Sequence, residues 1–240
     1  MKAMLFAAGL GTRLGELTAS KPKALVEVNS KPLLYYAIEY LKKYGVTDII
    51  INVHHYADLI IDYVKQNNSF GINIEFSDER NQLLETGGGL LKAKHFFSDV
   101  DNFVVYNTDI YTSLDLFDAI KKHKQNKALA TLVVRERKTS RYLLFSDENL
   151  MCGWKNINTG EEIITRNKLG LKSYAFSGIQ ILSTEIFELL KDKENTKFSI
   201  TKAYIELSKT RKIFGYIDNS KYWIDAGKPE TLDKLSVILK

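Results

Sequence analysis

Ala3-Met4-Leu5-Phe6-Ala7-Ala8-Gly9-Leu10-Gly11-Thr12-Arg13-Leu14-Gly15 is an apolar run that breaks into glycines. Residues 3–8 show no alternation of apolar and polar side chains. That is the pattern of a central strand covered on both faces, as in a parallel sheet. Glycines after such a strand let the backbone come close to phosphate oxygens, and loop N–H groups can point at an anion. Arg13 adds a planar fork of donors suited to phosphate. A glycine turn can also be plain punctuation. Two other glycine loops do not fit. A dinucleotide fingerprint needs glycine or alanine where Leu14 stands, and a Walker loop needs Gly-Lys-Ser/Thr at its end.

Outward from this stretch, strands and helices alternate. A helix is expected over 32–44, with Pro32 in its first turn, Ser30 as a cap and Gly45 as its stop. Strand patterns follow at 48–53, 72–76 (nearer an edge) and 103–106. Helical patterns lie at 56–65, 87–97 and 114–124. The second half is richer in strands, at 128–134, 142–145, 173–182 and 212–217. Its helices are expected at 184–191, 199–208 and from about 229. The alternation predicts a single α/β domain with a doubly wound, mixed sheet.

The 240 residues carry a net charge of +5, with lysines scattered and not massed in a stripe, so nucleic-acid binding is not expected. One cysteine, Cys152, excludes an internal disulfide and a four-cysteine zinc site. His54 and His55 have no cysteine nearby and no third histidine in register, so zinc is not favoured there. No apolar stretch reaches about 18 residues, so no membrane span is expected. The protein is read as cytoplasmic.

Further along lie the residues that bear chemistry. Lys21-Pro22-Lys23 follows the glycine loop, and Pro22 stiffens the chain that aims Lys23. Leu84-Glu85-Thr86-Gly87-Gly88-Gly89-Leu90 opens a predicted helix. Three glycines there cost entropy, which either a close approach offsets or a flexible first turn tolerates. Asp109 stands at the carboxyl end of a strand, where open α/β sheets place ligands. Asp225 stands in Trp223-Ile224-Asp225-Ala226-Gly227-Lys228-Pro229-Glu230, before the last helix. Each could be a helix cap, or the two could converge on a hard cation.

The run from Leu5 to Leu14, followed by Pro22-Lys23, resembles the signature of the nucleoside-diphosphate-sugar pyrophosphorylases, the sugar-1-phosphate nucleotidyltransferases. Their pattern is roughly Leu-Ala-Ala-Gly-x-Gly-Thr-Arg-Leu, then Pro-Lys-Pro. The resemblance covers nearly the whole chain. It departs at Ala24, at Glu16-Leu17-Thr18 in place of Pro-Leu-Thr, and at Thr108 in place of glycine. It implies a Rossmann-like, GT-A-like fold, with residues 1–125 binding nucleotide and 126–240 binding sugar phosphate. It implies that Ala8, Gly9, Gly11 and Thr12 cradle the triphosphate, Arg13 grips the leaving pyrophosphate, and Lys23 stabilises the α-phosphate. Thr86, Gly87 and Gly88 would read the base, with Glu85 either reading it or supporting the loop. Asn107 and Asp109 complete the nucleotide site, and Asp109 and Asp225 would hold Mg2+. Ala175-Phe176-Ser177-Gly178-Ile179 resembles the sugar-binding strand, where Ser177 and Gly178 would touch the acceptor. Lys168, Lys172 or Arg166 would hold its phosphate. Trp154, ahead of a predicted hairpin around Asn158-Thr159-Gly160-Glu161, either lines the acceptor site or packs.

The glycine cluster and the closing motif look most like the branch that joins UTP to N-acetylmuramic acid 1-phosphate in cell-wall recycling. Guanylyltransferases of mannose or heptose 1-phosphate look similar. A metal-dependent glycosyltransferase and a non-catalytic nucleotide sensor are the rival readings. The expected partners are an NTP and a sugar 1-phosphate, on a monomer or small homo-oligomer.

Overall fold

In the computed structural model, which describes residues 1–239, β1 (Lys2–Phe6) pairs in parallel with a strand on each side. Ala3, Met4 and Leu5 are fully buried, as an unalternating apolar run requires. Of the expected 1–240 domain, only Lys240 lies outside the described residues.

A short hairpin follows, β2 (Glu27–Val28) with β3 (Lys31–Pro32), then α1 (Leu33–Lys43), β4 (Asp48–Val53), α2 (Ala57–Gln66) and β5 (Asn73–Asp78). Next come α3 (Glu85–Lys92), β6 (Asn102–Asn107), β7 (Ile110–Thr112) and α4 (Leu116–Asn126). The second half holds β8 (Ala130–Arg135), β9 (Arg141–Phe145), β10 (Met151–Asn156), β11 (Glu161–Ile164) and β12 (Lys172–Ser183). It ends with α5 (Glu185–Leu189), α6 (Ile200–Leu207), β13 (Ile213–Ile217), β14 (Trp223–Asp225) and α7 (Pro229–Ile238).

β5, β4, β1 and β6 lie side by side and parallel. β12 adds to β6 antiparallel, β8 to β12 antiparallel, and β13 to β8 parallel, which makes the sheet mixed. The meander β9–β10–β11 hangs from the first residues of β12. One face is covered through Leu34 and Ile38 of α1, Ile60 of α2 and Leu116 of α4. The other is covered through Leu90 of α3, Ile186 of α5 and Tyr204 of α6. The sheet is therefore doubly wound, as its sequence pattern predicts. A third cluster joins Leu232 and Leu235 of α7 to Leu14, Val26 and Val28, so the last helix packs over the glycine loop. No helix of the described residues is long and apolar enough to cross a membrane.

Three local expectations shift. β1 ends at Phe6, because the N–H groups of Ala7 and Ala8 turn to Asn52 Oδ1 at 2.8 and 3.3 Å. Ser30 does not cap α1. It sits at φ 62° in the turn between β2 and β3, and Pro32 holds the cap position without a side-chain bond. Asp109 precedes a strand and not a helix. Gly45, at φ 76°, does follow the end of α1.

His123 of α4 ties two sheet strands together. Its ring nitrogens face Thr131 Oγ1 and Asn102 Oδ1, each at 2.9 Å. Burial pushes its pKa down from 6.5 to about 4. The fold therefore holds this ring neutral while the unfolded chain protonates it. Its contribution is present above about pH 6.5 and is lost as the pH falls toward 4, by up to about 3 kcal/mol. Thermal melts of the wild type and of His123→Gln should converge across that window. Parallel curves would show that His123 is not the titrating group.

Candidate active site

β7 and β14 form a two-strand clip in which Asp225 pairs with Ile110 and the Ala226 N–H donates to Asp109 O at 2.8 Å. Two carboxylates far apart in sequence are thus fixed side by side at the carboxyl end of β6. Lys23 Nζ bonds to Asp109 and lies 3.9 Å from Asp225 Oδ1. Arg13 approaches Asp225 Oδ2 at 3.9 Å. Lys23 has a side chain only 11% exposed, whereas that of Arg13 is 59% exposed. Lys23 is thus held in place, and Arg13 is free to turn toward an anion. Gly227 completes the cluster. A Cβ there would stand 2.6 Å from Asp225 Oδ1, 2.8 Å from Arg13 Nη2 and 2.9 Å from Lys23 Nζ.

Asp225 Oδ1 is buried and has no hydrogen-bond partner. An orphaned carboxylate oxygen beside a second carboxylate suits a hard divalent cation that completes its shell with phosphate oxygens and water. Among the described residues no group of three or more metal-binding side chains exists. His54 instead turns Nδ1 to Glu79 O at 2.7 Å.

Beside the carboxylates opens a cleft of about 470 Å³, lined by Ala8, Gly9, Lys23, Thr86, Asn107 and Asp109 among others. Ala8, Gly9, Lys23, Glu85, Thr86, Asn107 and Asp109, all singled out in sequence, are therefore brought together. Gly11, Thr12, Arg13, Asp225, Ser177 and Gly178 do not line the cleft. Gly11 takes φ 68°, and its carbonyl accepts from Thr18 Oγ1 at 3.1 Å, so Thr18 pins the loop. Gly87, Gly88 and Gly89 are buried inside α3 and do not face the cleft. Their missing side chains make room for Phe198, for Thr196 O and for Glu79, respectively. The start of α3 is spliced to the segment before α6 by Gly87 N–H to Phe198 O at 2.9 Å and Ile200 N–H to Thr86 Oγ1 at 3.0 Å. Around that start, Leu83, Glu85 and Thr86 reach the cleft.

Two residues outside the sequence reading hold the two loops together. Glu79, 1% exposed, accepts from Asn52 Nδ2 at 2.8 Å and from Leu84 N–H at 3.0 Å. Asn52 Oδ1 in turn accepts from Ala7 and Ala8. An asparagine inside Ile49-Ile50-Ile51-Asn52-Val53 was the available signal, since a polar side chain in such a run must be bonded. Glu79→Gln offers one acceptor where two donors converge. It should cost about 1–3 kcal/mol and raise the KM for the ligand of the cleft. A lower Tm with an unaltered KM would make the network merely structural.

In the second half, β12 breaks register between Phe176 and Gln180, with Gly178 at φ 78°. Gly178 lies against Asn107 and Ile110, so the two halves of the chain touch at the cleft. Ser177 is fully buried, its Oγ has no partner, and its carbonyl accepts from Trp223 Nε1 at 3.0 Å. A second cavity, about 860 Å³, is lined by Arg137, Tyr142, Trp154, Phe176, Ile205 and others, and it shares Arg141 and Ser199 with the first. Trp154 therefore lines this cavity, and the predicted hairpin is β10–β11. Cys152 is buried on β10. Burial pulls Arg137 below the usual guanidinium range, and the charge of Asp225 pulls it partly back.

Lys168, Lys172 and Arg166 are not brought to either cavity. Lys172 pairs with Asp147 at 3.1 Å, at the far end of β12 from Gly178, roughly 20 Å away along the strand. Lys168 lies near Glu148, whose pKa it helps to lower. Arg166 donates to Ser208 O and Arg211 O.

Residues 2–239 match the family model described as "Nucleotidyl transferase". A UTP–glucose-1-phosphate uridylyltransferase of Synechocystis is 37% identical over 145 residues, which is 56% of this chain and 37% of that protein. A mannose-1-phosphate guanyltransferase of Schizosaccharomyces pombe is 29% identical over 96% of this chain and 62% of its own length. The chain thus spans 37% to 62% of these curated relatives. The crystal structure of HddC from Yersinia pseudotuberculosis superposes with a TM-score of 0.81 at 27% identity, covering 100% of this chain and 99% of that one. The same protein complexed with GMP-PN gives 0.79.

Proposed function

This chain belongs to the nucleotidyl transferase family, and from that premise we propose that it transfers a nucleoside monophosphate from an NTP to a sugar 1-phosphate and releases pyrophosphate. The observation that carries the reading is the convergence of Arg13, Lys23, Asp109 and Asp225 in one cluster, of which Lys23 and Asp109 line the cleft. An oxygen of the acceptor phosphate attacks the α-phosphorus, and the bond from that phosphorus to the bridging oxygen of the pyrophosphate breaks. The attacking group is already an anion, so no general base is needed. The protein's task is positioning and charge neutralisation. Lys23 neutralises the crowded α-phosphate oxygens, and Arg13 turns to the departing pyrophosphate. Asp109 and Asp225 would hold Mg2+, which when bound offsets charge on the phosphate oxygens. We read residues 1–125 as the nucleotide half and 126–240 as the sugar-phosphate half, with Arg141 and Ser199 of the second half also bordering the cleft.

For the finer substrates, the reading is UTP and N-acetylmuramic acid 1-phosphate. What supports that acceptor is the wall of the larger cavity, where Leu143, Trp154, Ile163, Phe176 and Ile205 are apolar. Acetyl and lactyl groups bring methyls to such a wall, and a bare hexose does not. A guanylyl reading, with mannose or heptose 1-phosphate, has its own support. The relative from S. pombe that covers 96% of the chain is named for mannose-1-phosphate guanylyl transfer, and HddC holds GMP-PN.

The test is pyrophosphate release with magnesium, crossing UTP, GTP, CTP, ATP and dTTP with the 1-phosphates of N-acetylmuramic acid, N-acetylglucosamine, glucose, mannose and heptose. Fastest release with UTP and N-acetylmuramic acid 1-phosphate is expected. Preference for GTP with mannose or heptose 1-phosphate would select the second reading. No release from any pair would sink nucleotidyl transfer itself.

A further inference from the structure

Two guanidinium groups stand where the nucleotide cleft meets the larger cavity. Arg141, at the start of β9, borders both. Arg137 borders the larger cavity, lies 4.5 Å over the Trp223 ring and donates Nη2 to Phe176 O at 2.9 Å. Its Nε is buried and has no partner. Neither guanidinium is paired with a carboxylate among the described residues, whereas the neighbouring Arg135 is bound to buried Asp218 at 2.6 Å. A half-buried guanidinium with an orphaned N–H is destabilising until an anion arrives to accept from it. Of the other cations around the cavity, Lys209 is taken by Glu206 at 2.7 Å, and Lys202 of α6, exposed like Arg141, offers an ammonium without a planar fork.

The location fits an attacking group. Trp223 lies two residues before Asp225 on β14, so Arg137, stacked on that ring, stands beside the carboxylate pair. A phosphate bound there has the sugar-sized cavity on one side and the carboxylates on the other. Two planar forks can each engage two oxygens of a phosphomonoester, which fixes its orientation as well as its charge.

We propose that Arg137 and Arg141 form the clamp that holds the acceptor's phosphate and turns one of its oxygens toward the α-phosphorus. The role as an acceptor site rests on the nucleotidyl-transfer reading. The clamp replaces Lys168, Lys172 and Arg166, which the fold carries elsewhere.

The chain's two tryptophans make the test direct, since Trp223 lies under Arg137 and Trp154 lines the same cavity. In a Trp154→Phe background the emission of Trp223 reports on the clamp alone. The probes are N-acetylmuramic acid 1-phosphate and mannose 1-phosphate, titrated without nucleotide, with inorganic phosphate as competitor. A saturable change is expected with at least one sugar phosphate, reversed by phosphate. Arg137→Met and Arg141→Met should each weaken Kd by about 10–100-fold. Arg137→Lys should fall between, because an ammonium keeps the charge and loses the fork. In turnover the same variants should raise the acceptor's KM and move the nucleotide's KM by less than about twofold. If Arg137→Met melts early, Arg137→Lys and Arg141→Met carry the measurement.

Unaltered acceptor affinity in both methionine variants overturns the clamp. So does a shift confined to the nucleotide's KM, or the absence of any emission change with either sugar phosphate. Binding is read without turnover, so the two failures are distinct. Arginine-dependent phosphate binding without pyrophosphate release sinks nucleotidyl transfer and leaves an anion clamp. Release that ignores both arginines sinks the clamp alone.

Discussion

Asp109→Asn should abolish pyrophosphate release to the extent of more than about 10³-fold, with the fold intact. Asp109 lines the cleft and Asp225 stands beside it, where transfer is proposed, and the β7–β14 pairing fixes both backbones. Asparagine keeps the shape and removes the charge. One carboxylate is then left to hold a hard cation that already depends on few protein ligands. The loss should fall on kcat, because the charge being neutralised grows on the way to the transition state. Thermal stability should hardly change, since Lys23 retains Asp225 at 3.9 Å as a second anion. Single-turnover rates alongside melting curves check both halves of this expectation. Activity within tenfold of wild type would remove Asp109 from the catalytic group.

Lys23→Met should cost on the order of 10²–10³ in rate, with an opposite effect on metal binding. In the free protein the Lys23 ammonium bonds to Asp109 and lies near Asp225, where a divalent cation would otherwise be drawn. Removing it leaves two carboxylates facing one another without a cation. Mn2+, added to nucleotide-free protein and followed by its paramagnetic resonance signal, should therefore bind Lys23→Met more tightly than wild type. In wild type the affinity should rise when a triphosphate is present to draw the ammonium away. Equal Mn2+ binding by the two free proteins would show that Lys23 does not guard the carboxylates.

The doubly wound sheet was legible because its strands are long apolar runs between helices with one apolar stripe. The unalternating residues 3–8 and the isoleucines at 49–51 leave few other readings. The short pairs β2–β3 and β7–β14 were not legible, since two or three residues carry no period. Yet β7–β14 is what brings Asp225 to Asp109. The glycines of α3 drew attention for a sound reason, a close approach, but the approaching group is Phe198, Thr196 or Glu79. A glycine shows that something is near without saying what. Arg137 and Arg141 were passed over because they lie in no motif. Only the register of β12 against β8 and β9 brings them to the mouth of the cavity.

The same clip and the packing of α7 on the glycine loop have a consequence for how the protein comes into being on the ribosome. Every strand of the parallel sheet and its glycine loop has been synthesised by residue 109, yet the second carboxylate is not made until residue 225. At about 5–20 residues per second that is a delay of roughly 6–23 s. A nascent chain can thus carry most of a nucleotide cleft without the means to react there, and translation that aborts before β14 leaves a fragment lacking half of the carboxylate pair.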